Sequence, residues 1–169
     1  MKKLLATAAA LSMLAGSALA NTVNWNQHDA LETADFVTHG PSTIFSDVYR
    51  FSLGTTSNLS AQVAEFTGFG LDIAFTQLTL YLDDNNAATA DTAVTSFAYN
   101  ASLDKWVGQA TGLLAGDYYY VVGGVTNAVG GLYNLSSAAV ATPVPEPQAA
   151  LLMLAGLGAL VGLRRRRVG

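Results

Sequence analysis

Ten consecutive residues, Ile44 to Leu53, alternate so regularly that they read as an extended strand. The odd positions carry Phe45, Asp47, Tyr49, Phe51 and Leu53, and the even ones carry Ile44, Ser46, Val48, Arg50 and Ser52. A period of two puts each set on its own face of a half-buried strand, whereas a helix would mix them around its axis. One carboxylate, Asp47, interrupts the aromatic face. A carboxyl on a buried face must find hydrogen-bond donors or take up a proton. Asp47 is therefore either a cation or ligand site or a structural cap for the amides of a neighbouring loop. The cap is the expectation.

The period of two recurs along the chain. Leu71–Leu82 reads as a second long strand, apolar on both faces at Ile73, Phe75, Leu78, Leu80 and Tyr81, and Asp83-Asp84-Asn85-Asn86 then breaks it with turn formers. Val94–Tyr99 and Lys105–Gly108 read as a hairpin around Asn100–Asp104. Tyr118–Val122, apolar on both faces, predicts a central strand. Leu132–Leu135 closes the set, with Gly123-Gly124 and Gly130-Gly131 as punctuation. His28–Ser42 is ambiguous, ended as a helix by Pro41, and Ser137–Pro143 reads as a short linker. Short strands separated by Gly, Asn and Asp turns predict an all-β fold, an antiparallel β-sandwich of jelly-roll or immunoglobulin-like type.

Both ends of the chain differ from this middle. Lys2 and Lys3 precede an apolar stretch, Leu4 to Ala15, and Ala18-Leu19-Ala20 has the small-x-small form of a leader cleavage site. Residues 1–20 are expected to be a signal peptide, with the mature chain starting at Asn21. At the other end, Pro145-Glu146-Pro147 is followed by an apolar run from Ala149 to Leu163 and then by Arg164, Arg165, Arg166 and Arg167. The prolines exclude a regular helix across the join. The arginines cannot follow the apolar run through a bilayer, so they hold the C-terminus on the cytoplasmic side. At 1.5 Å per residue the run spans roughly 22 Å, short of a hydrocarbon core of about 30 Å. It suits a temporary transmembrane helix better than a permanent one. The organisation is thus leader 1–20, sandwich 21–143 and tail 144–169.

Charge and cysteine content exclude several classes. Between Asn21 and Pro143 eleven Asp or Glu face only Arg50 and Lys105, a net −9 hidden by the whole-chain value of −4. Such a surface repels phosphate backbones, so nucleic acid is not an expected partner. With no cysteine, the exported domain holds together by packing and not by disulfides.

The order of Pro145-Glu146-Pro147, the apolar run Ala149–Leu163 and the cluster Arg164–Arg167 closely resembles the PEP-CTERM sorting signal of Gram-negative bacteria. That resemblance implies recognition by exosortase, a membrane protease-like enzyme. It also implies export through the inner membrane with transient anchoring there, secretion to the cell surface or matrix, and an association with exopolysaccharide and biofilm. Phe45-x-Asp47-x-Tyr49, continued by Phe51, resembles the F-x-D-x-F motif naming one subgroup of these proteins, with tyrosine in place of the final phenylalanine. More loosely, Asp47–Phe51, Tyr81–Asp84 and Leu114–Tyr119 follow the order of bacterial pre-peptidase C-terminal β-sandwich domains, non-catalytic modules some of which bind carbohydrate or protein.

The chemistry-bearing residues point away from catalysis. No nucleophile-elbow, zinc-protease, phosphate-loop or EF-hand pattern occurs. His28 and His39, with Asp29, Glu32 and Asp35, offer metal ligands in principle, but nothing fixes their geometry and exposed loop positions are expected. Asp83–Asn86 offers oxygen ligands for Ca²⁺, yet neighbours along a chain seldom converge, and a plain turn is expected. Trp25, Trp106 and Tyr118–Tyr120 are a possible sugar-stacking platform, with core packing the expected role. The expectation is a non-enzymatic surface protein without metal or cofactor. The alternative is a carbohydrate-binding or adhesion module, which an exposed aromatic strip including Trp106 would mark.

Overall fold

The alternating segment forms a strand with the predicted bounds, β3 (Ile44–Leu53), and its five odd-numbered side chains are all buried. The computed structural model describes residues 20–86 and 89–143, together with Met153 and Ala155, which are helical. The leader positions up to Leu19, Ala18 among them, the Pro145-Glu146-Pro147 motif and Arg164–Arg167 lie outside the described residues. So do the flanking helices expected at the two ends, apart from those two tail residues.

Among the described residues, ten strands build two five-stranded sheets around one core. β1 (Thr22–Gln27), β3, β5 (Ile73–Leu82), β6 (Thr92–Ser96) and β9 (Gly116–Thr126) form the first, in the order β1-β3-β9-β5-β6. β2 (Leu31–His39), β4 (Ser57–Glu65), β7 (Ala98–Asn100), β8 (Lys105–Leu113) and β10 (Gly131–Ala141) form the second, in the order β2-β10-β4-β8-β7. Every pairing is antiparallel except β1 with β3, which is parallel. The expected β-sandwich is present.

Tyr118–Val122 sits where expected, at the centre of its sheet, with β3 on one side and β5 on the other. Two apolar faces suit such a strand. Tyr118, Tyr120 and Val122 fill the core, while Tyr119 and Val121 are half covered on the outside. The acids stay on loops and outer surfaces, with Asp47 as the buried exception.

Four local readings change. The apolar pattern of β5 is a phase shift and not two apolar faces. A bulge between Phe75 and Gln77 moves the inward set from Ile73 and Phe75 to Leu78 and Leu80. The hairpin expected from Val94 splits at Phe97, because β6 pairs with β5 while β7 pairs with β8 in the other sheet. Gly123-Gly124 lies inside β9 and is no turn. Gly124 faces the Phe45 ring, whose Cζ lies 2.9 Å from where a Cβ would be. Ser137–Ala141, read as a linker, belongs to β10, where Ser137 is buried and Ala138 and Ala139 are partly covered.

Phe97 links the two sheets as the chain crosses between them. Its ring rests on Gly108 so closely that an added Cβ would come within 1.9 Å of Phe97 Cδ1. Gly108→Ala is therefore expected to cost about 1–3 kcal/mol through overpacking. Denaturant unfolding measures this, and Phe97→Leu in the Gly108→Ala background should recover part of the loss. Equal midpoints for wild type and Gly108→Ala would show that the ring moves aside freely.

Candidate functional site

Asp47 is completely buried, and its neighbours supply what a buried carboxyl needs. His39 Nε2 lies 2.7 Å from Oδ2, the Tyr133 hydroxyl donates to the same oxygen, and the backbone amide of Asn21 donates to Oδ1 at 2.9 Å. The Tyr49 hydroxyl joins at 2.7 Å from that of Tyr133. The residues of the F-x-D-x-F-like motif thus share one face by their i, i+2, i+4 spacing. The tyrosine at its end uses its hydroxyl to complete the network.

His39 was expected in an exposed loop, but it is buried at the end of β2. The reason is a bulge at Phe36, where φ is +55° and the register with β10 shifts. Ala34 faces inward before the bulge, and Val37 and His39 face inward after it. The His39 ring stacks on Phe45 with centroids 3.9 Å apart, and Phe45 stacks on Tyr133 at 5.7 Å. His28 is buried as well, contrary to expectation. Its Nδ1 donates to the carbonyl of Asp29, and its Nε2 lies 2.8 Å from the Ser137 hydroxyl, which also meets Tyr120 at 2.9 Å. The two histidines serve separate networks and do not converge with Asp29, Glu32 and Asp35 on one centre. Among the described residues no buried side-chain polar atom lacks a partner.

Burial pushes the Tyr49, Tyr120 and Tyr133 hydroxyls up from their ordinary value, and the nearby Tyr49 and Asp47 add to the rise at Tyr133. Unfolded tyrosines ionise near pH 10. A group with a raised folded-state value contributes its full stability below that pH and loses it as pH climbs above. Absorbance titration should therefore show these three tyrosines ionising only as the protein unfolds, well above pH 10. A chain that stays folded while all seven tyrosines titrate near pH 10 would contradict the network.

The loop after β5 brings together more than the sequence indicated. Asp91 closes on Asp83 and Asp84, so that carboxylate oxygens from all three lie within 4.8 Å of one another. The carboxylates also organise the loop itself. Asp83 pairs with Arg50 and accepts the Asn85 amide at 2.9 Å, Asp84 accepts the Asn86 amide at 2.8 Å and the Thr89 hydroxyl, and Asp91 accepts the Tyr119 hydroxyl at 2.8 Å. The bond from Thr89 and that from Asn86 hold the exposed Asp84 carboxyl below its usual range. Burial first, then Asp91, pushes the Tyr119 hydroxyl up to about 12.

The aromatic residues are mostly committed to packing. Tyr118 and Tyr120 are buried, and Trp25 and Trp106 pack against the core. Tyr119 stacks on Tyr81 at 5.1 Å and carries the Arg50 guanidinium 5.0 Å above its ring. The outer face of the second sheet is different in character. Ser60, Gln62, Gln109 and Ser136, with Leu31 and Ala138, line an open groove of about 420 Å³.

Residues 143–167 match the family described as the PEP-CTERM protein-sorting motif. The chain carries a PEP-CTERM sorting signal. Such a signal marks an exported protein that is sorted by exosortase and anchored at its C-terminus. The motif begins two residues after β10 ends at Ala141, so the PEP-CTERM signal follows the sandwich almost directly. Among the described residues no helix is long and apolar enough to cross a membrane.

Similar solved structures include the pre-peptidase C-terminal domain of a collagenase from Bacillus anthracis, 18% identical, covering 71% of this chain and 95% of that one at a TM-score of 0.44. PliG from Aeromonas hydrophila, a periplasmic inhibitor of g-type lysozyme, is 8% identical, covering 72% of this chain and 100% of that one at 0.45. PliG from Salmonella Typhimurium is 15% identical, covering 71% and 99% at 0.36. No curated protein matches the chain. The assignment of a β-sandwich rests on the strand pairing itself.

Proposed function

We propose that this PEP-CTERM protein is a non-enzymatic surface component. Exosortase acts at Pro145-Glu146-Pro147, and the sandwich of residues 21–143 is delivered to the cell surface or extracellular matrix, where it contacts exopolysaccharide. The observation that carries this reading is the sorting signal at residues 143–167, set directly behind a strand that completes the sandwich. A non-catalytic role is supported by the sealing of the pair that most resembles acid–base machinery, since the His39 and Asp47 side chains are only 1% and 0% exposed. A general base must reach its substrate.

Contact with polysaccharide is supported by the groove on the second sheet. The amides of Gln62 and Gln109 and the hydroxyls of Ser60 and Ser136 both donate and accept, as sugar hydroxyls require of a partner. An aromatic adhesion strip has less support, because Trp106 packs against the core. The net −9 of residues 21–143 repels acidic polysaccharide, so divalent cations are expected to strengthen contact with it.

Pull-down on purified matrix polysaccharide, with and without Ca²⁺, tests this reading. Wild type should be retained and the Gln62→Ala/Gln109→Ala double variant largely lost, with both equally folded and neither retained on DNA. Equal retention of the double variant, or Ca²⁺-independent binding to DNA, would refute the polysaccharide contact without touching the sorting reading.

A further inference from the structure

Asn21 is fixed beside the buried carboxylate from three directions. Its nitrogen lies 2.9 Å from Asp47 Oδ1, its carbonyl accepts from the amide of Val48 at 2.8 Å, and Thr22 next to it pairs with Val48 in the parallel β1–β3 ladder. His39 and Tyr133 both serve Oδ2, so the other oxygen is left to the chain at residue 21. Ala20, one residue upstream, is exposed.

We propose that Asp47 is the binding site for a new N-terminus, and that removal of the leader completes the domain by placing an α-ammonium on this carboxylate. The proposal rests on the export reading with cleavage between Ala20 and Asn21. Hydrolysis of that peptide bond consumes one water, leaves a carboxylate on Ala20 and turns the Asn21 nitrogen from a neutral amide into an amine, which is protonated below about pH 8. The same atom, at the same place, then carries a full positive charge. The charge matters because a buried carboxylate is costly unless paired as well as hydrogen-bonded. Neither fixed cation of the domain is available for this. Arg50 is paired with Asp83, and Lys105 lies on β8 in the opposite sheet. Before cleavage Asp47 has neutral donors and His39; afterwards it also has a full charge within hydrogen-bonding distance. The parallel edge strand β1 thereby has a function: it carries the new terminus to β3 and holds it there.

The test compares the processed chain, starting at Asn21, with the same chain carrying one additional glycine before it. The extension keeps an amide donor at residue 21 and moves the charge off that nitrogen, one residue outward onto the added glycine. The processed chain should melt about 5 °C higher, and Asp47→Asn should erase the difference. Because Asp47→Asn removes a buried group, a second measurement is independent of it. After leader removal the chain has two primary amines, the Asn21 terminus and Lys105. Acylation of Asn21 should be slowed at least about tenfold in the folded protein relative to the denatured one, with Lys105 as the internal reference. Equal melting temperatures, or labelling of Asn21 at the denatured rate, would overturn the proposal. An exported protein whose sequenced N-terminus is not Asn21 would also overturn it, while leaving the reading of residues 143–167 intact.

Discussion

Replacing Pro145, Glu146 and Pro147 together by alanine is expected to leave an unprocessed precursor in the inner membrane and to reduce surface protein to near zero. Two prolines disfavour a helix across the join, since they lack amide donors and bias the residues before them away from helix. Alanine is the strongest helix former, so the triple substitution lets the apolar run continue backward through the join. The expected recognition residues and the helix-breaking prolines are lost together. Cell fractionation with a mass determination on the membrane-bound form measures the effect. Surface protein at wild-type levels from the variant would show that sorting does not depend on these residues.

The second large effect is expected at Asp47. Asp47→Ala leaves His39 Nε2, the Tyr133 hydroxyl and the Asn21 amide facing a gap between the sheets. Removing one partner of a buried pair costs about 3–5 kcal/mol, a large share of the 5–15 kcal/mol typical of whole domains. Asp47→Asn keeps one acceptor oxygen and should cost less, about 1–3 kcal/mol. Denaturant unfolding of the two variants distinguishes them. Unchanged stability in Asp47→Ala together with lost ligand binding would make Asp47 a ligand site and not a structural one.

The sequence made the fold legible wherever alternation ran unbroken. β3 followed its period of two from end to end, and the aromatic density of Tyr118–Val122 required cover on both faces. Legibility ended at the bulges. Phe36 and the Phe75–Gln77 step each reverse the phase of a strand, so the sequence alone gave no sign that His39 turns inward toward Asp47. The one available hint was the jump from odd to even apolar positions between Phe75 and Leu78, which marks a bulge more readily than two apolar faces.

The candidate site was half legible for the same reason. A carboxylate on an aromatic face announced that donors would be found, but its two side-chain partners come from other strands, one eight residues upstream and one 86 residues downstream. His39 lies on β2 and Tyr133 on β10. The amide donor expected from a loop came instead from Asn21, next to the expected leader cleavage site. Asp91 was missed because it is separated from Asp83 and Asp84 by the intervening loop, and only folding of that loop brings the three carboxylates together. Ser137–Ala141 looked like a linker by composition. Small residues can also continue a ladder, and Ser137–Ala141 pair with β4 to the end of strand β10.

Mass spectrometry of both ends of the protein recovered from the cell surface tests the central claim most directly. A processed exosortase substrate should begin at Asn21 and lack Arg164–Arg167, while the precursor in the membrane fraction retains the arginines. Surface protein from wild-type cells that still carries Arg164–Arg167 would contradict the account.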